Sequence, residues 1–360
     1  MKYISTIAAL LFGLSACAPV SRVPNIDDKL AAAEAEKQME IAFREEIKLK
    51  NRLNDISWPI VYANADLCKE RMVLGSGFNF DSKENMPQER VSAFGKIYGN
   101  SSQPIVTAVY NGTPAQKVGL KVGDQIISIN GGMVPPGTEG MEFIISKLLT
   151  IESSFNLTIR RNETIKELTI IPVKICNYRF AMVNKDEVNA FADGDNVFVH
   201  SGMMRFLSQD NELALVMGHE LAHNTMGHIA KQSGNQALGI FVGLVISVAT
   251  GVNVMDLGGS IGRGAYSQEF ESEADYVGVY YTARAGFDVV DAANLWRKMA
   301  AAHPVAINLG GSTTHPSTAK RFLAIEMAAK EITDKKAAGL PLVPEIAPET
   351  ENPPPPNNSD

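Results

Sequence analysis

Residues 216–228 read VMGHELAHNTMGH and hold three of the chain's six histidines. His219 and His223 lie four positions apart, with Glu220 beside the first. Side chains spaced by four share a face only on a helix. Any fold the chain adopts must therefore be helical here and must bring a partner to that face from elsewhere. On such a helix two imidazoles reach one metal ion, and Glu220 stands beside it to take a proton from water. A catalytic zinc takes three protein ligands and keeps one position open, so one ligand is still to be found. The competing reading is a solvated helix face that happens to be rich in histidine. His228, nine residues past His219, falls about 180° round a continuous helix and is expected to pack or face solvent instead of binding metal.

Residues 266–281, YSQEFESEADYVGVYY, supply the missing group. Glu271 and Asp275 are again four apart and share a helix face. Glu271 can reach a metal, and Asp275 can accept a hydrogen bond from a ligand histidine and fix its tautomer. Glu269 and Glu273 compete with Glu271 as ligands on spacing alone. Between the two segments lies ALGIFVGLVISVATGVNVM (237–255), which carries no charge. It is nearly long enough to span a bilayer, but a span would leave His219 and Glu271 on opposite sides. A buried helix fits the shared site, and a glycine-rich lid leaning on a membrane is the alternative.

With 45% hydrophobic and 20% charged residues the chain is globular in composition. A formal charge of −7 argues against a nucleic-acid partner, for want of a basic excess to neutralise phosphates. The start combines Lys2, the apolar run ISTIAALLFGL and then LSAC ending at Cys17. This is the layout of a secretory signal over residues 1–16. LSAC resembles a bacterial lipobox, which implies lipidation at Cys17 and a membrane attachment; an ordinary cleaved signal is the alternative. With Ala18 in place of Asp after the cysteine, the resemblance implies the periplasmic face of the outer membrane. Cys68 and Cys176 then form an even pair in an oxidising compartment and are expected to be disulfide-bonded, against two buried thiols. Residues 17–68 comprise the anchor and an Ala/Glu/Lys-rich helix over 26–54, whose imperfect apolar stripe (Leu30, Met39, Phe43, Ile47, Leu53) predicts partial docking.

Residues 69–176 read as a separate β-rich module. Strands are expected at 104–110, 125–130, 155–161 and 166–173 from their β-branched residues and flanking turns. The stretch NGTPAQKVGLKVGDQIISING between the first two, followed by the helix EGMEFIISKLLT, closely resembles PDZ domains attached to bacterial proteases. That resemblance implies capture of peptide C-termini by strand addition, though no stretch clearly matches a carboxylate-binding loop; a spacer or lid is the alternative. The two cysteines flank this module as a staple would. Residues 177–337 read as mostly helical with one small strand region in NAFADGDNVFVHSG. The acidic, proline-rich tail 338–360 is expected to be disordered.

HELAH followed by ESEAD, preceded by NAFADGDNVFVHSGMM and followed by THPSTAKR, resembles the HtpX- and BepA-like gluzincin metallopeptidases, the family that also holds the CAAX prenyl proteases. The likeness runs over about residues 186–325. It implies an α+β fold, a mostly helical metallopeptidase domain with a small sheet, joined to the inserted β-rich PDZ-like domain. It implies one Zn²⁺ per chain on His219, His223 and Glu271, with Glu220 as general base and Asp275 behind the ligands. The resemblance, not the spacing, selects Glu271 over its acidic neighbours. It also places Asn189 and Ala192 on a strand that aligns a polypeptide substrate, and His315 and Arg321 at the cleft. There a cation or N–H donor could stabilise an oxyanion. His315 is alternatively a latch in the open zinc position, or merely a helix cap.

The activity this implies is a zinc endopeptidase acting on misfolded or misassembled envelope proteins. Two rivals stand beside it: a non-catalytic assembly factor that binds clients through the PDZ-like module, and a structural zinc lipoprotein with a closed site.

Overall fold

Helix α1 (Asp28–Ala63) opens at Asp27, whose carboxylate accepts the Lys29 amide, and it runs nine residues beyond the expected end. Its first turns are exposed, with Leu30 and Ile41 in solvent. Its second half is buried through Leu53, Ile56, Trp58 and Ile60. The computed structural model describes residues 24–68, 70–234, 266–302 and 318–345. Cys17, the apolar run 237–255, His315 and most of the proline-rich tail lie outside the described residues. Among the described residues no helix is long and apolar enough to cross a membrane.

After α1, strand β1 (Met72–Gly75) pairs antiparallel with β8 (Val173–Cys176), so the ends of the intervening module lie side by side. Cys68 and Cys176 are bonded across that junction, closing a separation of 108 residues. The module itself is an antiparallel sheet in the order β2 (Phe78–Asp81), β3 (Ile105–Val109), β4 (Gln125–Ile129), β6 (Phe155–Arg161), β7 (Thr164–Ile170). A short β5 (Gly132–Met133) pairs with β4. Helix α2 (Gln88–Tyr98), between β2 and β3, had no sequence expectation. Its Phe94 packs with Phe43 of α1 in a small apolar cluster. The short helix α3 (Pro114–Lys117) is capped by Thr113, and α4 (Gly137–Leu149) buries Ile144 over the sheet. Alternating residues of β4 and β6 (Ile126, Leu157, Ile159) fill this core.

The remainder builds on a three-stranded sheet, β10–β11–β9, formed by β9 (Arg179–Val183), β10 (Ala190–Ala192) and β11 (Asn196–His200). Strand β9 runs parallel to β11, and β10 closes antiparallel on its other side. Helices α5 (Ser201–Phe206), α6 (Asp210–Thr225), α7 (His228–Gly234), α8 (Gln268–Arg284), α9 (Ala292–Ala302) and α10 (Ala319–Ala337) follow. α1 belongs to this core too, with Leu53, Ile56 and Ile60 packed among residues of α6 and α8. Arg52 of α1 donates to the Met204 and Leu207 carbonyls and pairs with Asp210 at the start of α6. The long first helix thus links this core to the small cluster around Phe94.

Removing the disulfide gives the first expected result. A cross-link over a hundred-residue loop limits the unfolded chain by about 4–5 kcal/mol in the entropy model. Urea unfolding of the oxidised chain and of a Cys68→Ser, Cys176→Ser chain should differ by that order. Superimposable curves would show that the bond adds nothing.

Candidate metal centre

α6 and α8 cross where neither has a side chain. A Cβ on Gly278 would sit 2.7 Å from the His219 Cα, and one on Gly218 would sit 2.6 Å from the Gly278 carbonyl oxygen. Thr282, one turn further along α8, donates its hydroxyl to the Ala214 carbonyl of α6. Backbone contact therefore fixes how closely the two helices approach. The N-cap of α8, Ser267, accepts the Phe270 amide, and Glu271 lies in the first turn beyond it. The stripe Glu271, Asp275, Gly278, Thr282 is what α8 turns toward α6.

At the open end of that crossing, His219, His223 and Glu271 converge, with one donor atom from each within 4.8 Å of the others. The two Nε2 atoms are 3.1 Å apart. The Glu271 carboxylate stands 3.6 Å from Nε2 of His219 and 3.4 Å from Nε2 of His223. All three side chains are buried, as is Glu220. The acidic competitors separate cleanly: Glu269 is exposed, and Glu273 turns away to His228.

Behind the triad, Asp275 Oδ1 lies 3.0 Å from Nδ1 of His219. Arg321, held at the start of α10 by the Thr318 cap, donates through Nε and a terminal nitrogen to both oxygens of Asp275, at 2.7 and 2.8 Å. Its other nitrogen stands 2.8 Å from Glu271 Oε2. Burial works against its charge, but Asp275, Glu271 and Glu220 together hold the guanidinium above its usual range. The cation expected at the cleft is thus engaged by carboxylates behind the ligands. Trp296 of α9 covers both groups, its ring 4.9 Å from the His219 ring and 5.6 Å below the guanidinium.

The donor set fits zinc. Two imidazole Nε2 atoms and a carboxylate face one point, and this is a common catalytic zinc donor set. Three buried carboxylates (Glu220, Glu271, Asp275) meet one buried guanidinium, so with neutral imidazoles the group carries a formal charge of −2. Buried charge on that scale calls for a cation, and a divalent one balances it.

Two further residues at the centre were not expected from the sequence. Tyr266 stacks on His223 with centroids 4.0 Å apart; burial first, then Glu220 and Glu271, push its phenol well up. Asn224 accepts the Gly194 amide and donates to the Asn196 carbonyl, tying the β10–β11 turn to the helix that bears the histidines. Of the two residues expected on the substrate strand, Asn189 immediately precedes β10, and its carbonyl accepts the His200 amide. Ala192 ends the strand and is buried. Among the described residues β10 pairs with β11 alone and forms an outer edge of its sheet.

His228 packs, one of the two outcomes expected of it, but it does so directly behind the site and not on the far side of the helix. It is fully buried, with Nδ1 3.0 Å from Nδ1 of His223 and Nε2 2.7 Å from the Glu273 carboxylate. A continuous helical wheel does not apply to it, because α6 ends at Thr225. Gly227 then turns the chain through φ +68°, and His228 begins α7. Burial lowers the His228 pKa below the ordinary histidine value, with Glu273 pulling the other way.

A helix with paired histidines, crossed by a second helix that contributes a carboxylate, is a donor arrangement of the metallopeptidase type. Residues 160–329 match peptidase family M48, and residues 105–161 match the PDZ domain family. The chain thus carries a peptidase family M48 domain together with a PDZ domain. It is 34% identical over 125 residues to the beta-barrel assembly-enhancing protease of Escherichia coli strain K12, covering 31% of this chain and 26% of that protein. It is 30% identical over 143 residues to the mitochondrial metalloendopeptidase OMA1 of Saccharomyces cerevisiae, covering 37% of this chain and 41% of the relative. The matches therefore span well under half of either relative's length. Among solved structures, the HtrA3 PDZ domain bound to a phage-derived ligand aligns at 22% identity over 29% of this chain and 88% of that one, with a TM-score of 0.23.

Proposed function

We propose that the chain is a zinc-dependent endopeptidase of the bacterial cell envelope. The observation that carries this reading is the convergence of His219, His223 and Glu271 beside a buried Glu220, within a peptidase family M48 domain. His219, His223 and Glu271 would hold one zinc per chain. When bound, zinc polarises the scissile carbonyl and acidifies the attacking water. Glu220 takes the proton from that water and returns it to the leaving amine. Asp275 orients His219, and Arg321 orients Asp275. The substrate backbone lies antiparallel along β10, between Asn189 and Ala192, where a strand edge offers its peptide groups. In this reading His315 serves as an oxyanion donor or as a latch.

Residues 69–176 act as the PDZ unit and receive peptide C-termini, and residues 177–337 form the peptidase unit. The chain works at the periplasmic face of the outer membrane, tethered by a lipid on Cys17 after loss of residues 1–16. Its substrates are misfolded or misassembled envelope proteins, a reading supported by the beta-barrel assembly named for the Escherichia coli relative. A purely client-binding role has no use for Glu220 beside a complete ligand set.

The test is metal content and inhibition together. Protein purified without chelator should hold about one zinc per chain, the ratio set by a three-ligand site. It should cleave unfolded polypeptide and lose that activity to a hydroxamate. A folded chain that holds no transition metal would sink the reading.

A further inference from the structure

His228 and Glu273 have no task in the hydrolysis, yet His228 stands against the His223 nitrogen turned away from His219 and Glu271, with Glu273 behind it. We propose that His228 and Glu273 are positioning residues that fix the tautomer and ring orientation of the zinc ligand His223. The inference rests on the reading that the triad binds zinc.

Nε2 of His223 points at Nε2 of His219 and at Glu271, so it is the nitrogen offered to the metal. Its lone pair must then be free of a proton, which places the proton on Nδ1. That Nδ1 lies 3.0 Å from Nδ1 of His228, and a contact between two ring nitrogens accommodates a single proton. His228 Nδ1 therefore accepts, its own proton sits on Nε2, and Nε2 donates to the Glu273 carboxylate at 2.7 Å. Each proton has one place in this chain, and each donor has its acceptor. His228 is not a fourth ligand, because its nearer nitrogen addresses the back of His223.

Two further features hold the pair in place. The His228 ring stacks on Phe270 with centroids 4.6 Å apart and planes 16° from parallel. Phe270 and Glu273 both belong to α8, the helix that delivers Glu271. His219 receives the same support by a shorter route, from Asp275 directly. The two ligand histidines are thus each backed by a carboxylate of α8, one of them through an interposed imidazole. Partners of this kind set the basicity and aim of a ligand ring.

Zinc affinity of the full chain, measured by competition with a chromophoric chelator, tests the proposal. His228→Phe keeps a stacking ring and removes the acceptor, and should weaken zinc binding roughly 10- to 100-fold. His228→Asn places an amide oxygen near the former Nδ1, keeping the acceptor while losing the ring and its reach to Glu273, and should recover most of the affinity that His228→Phe loses. Glu273→Ala removes a carboxylate that is 37% exposed, carries little folding risk, and should weaken zinc at least about threefold. Equal weakening by Phe and Asn in folded proteins would reduce His228 to packing and overturn the proposal. So would parental affinity in Glu273→Ala, which decides the matter even where a His228 variant fails to fold. A parent chain that takes up no zinc is a different failure: it removes the metal site and the positioning role with it.

Discussion

Glu220→Gln should bind zinc as the parent does and cleave polypeptide more slowly by roughly 10²–10⁴-fold, the usual contribution of a positioned general base. The substitution keeps the size of the side chain and its capacity to hydrogen-bond, and removes only its ability to take a proton. Glu220 is buried one residue from His219 and is not among the three converging donor groups, so the metal should remain. Zinc per chain and hydrolysis of a quenched fluorescent polypeptide, read on one preparation, separate the two effects. Parental turnover in a zinc-loaded Glu220→Gln variant would take the proton-transfer role away from this residue. Client binding without cleavage in the same variant would show that the PDZ unit acts independently of catalysis.

The second large effect is on stability. Asp275→Ala should destabilise the metal-free chain by about 1.5–3 kcal/mol, the range for losing hydrogen bonds to a buried charged group. Asp275 and Arg321 are almost entirely buried, and two of the guanidinium's nitrogens are spent on this carboxylate. Without it Arg321 keeps Glu271 but cannot reach water. Zinc binding should weaken as well, because His219 loses the group behind its Nδ1. Urea melts in the presence of chelator isolate the first effect from the second. A change below about 1 kcal/mol, the level of a surface pair, would mean that the guanidinium finds other acceptors.

Legibility in the sequence followed the range of the interaction. His219, Glu220 and His223 sit within one turn of one helix, and period alone placed them on a face. Glu271 could not be chosen from Glu269 and Glu273 by period, since all three lie within a helical turn or so of one another. The family resemblance chose it, and in the structure burial separates them: one faces the triad, one solvent, one His228. The PDZ strands were legible because turns bracket alternating apolar runs. Strand β9 was not, since its pairing with β11 crosses the chain and leaves no local pattern. Helix α1 was cut short at 54 because its later residues are buried against two other helices, and a surface-helix pattern no longer applies. His228 packs as expected, but the turn at Gly227 brings it behind His223, where a continuous helical wheel would not put it. Arg321 was assigned to the cleft by resemblance, while its contacts in the structure are with Asp275 and Glu271.

The bare crossing of α6 on α8 has a consequence for how the centre accommodates its ion. Where helices are spaced by side chains, a binding site inherits their rotamers, and its width drifts with every adjustment of the surrounding core. Here the gauge is the main chain itself, at Gly218 and Gly278. That gauge fixes where the two backbones bearing His219, His223 and Glu271 stand relative to each other. A side chain at either glycine would meet main chain at 2.6–2.7 Å and wedge the helices apart, carrying Glu271 away from both histidines in one movement.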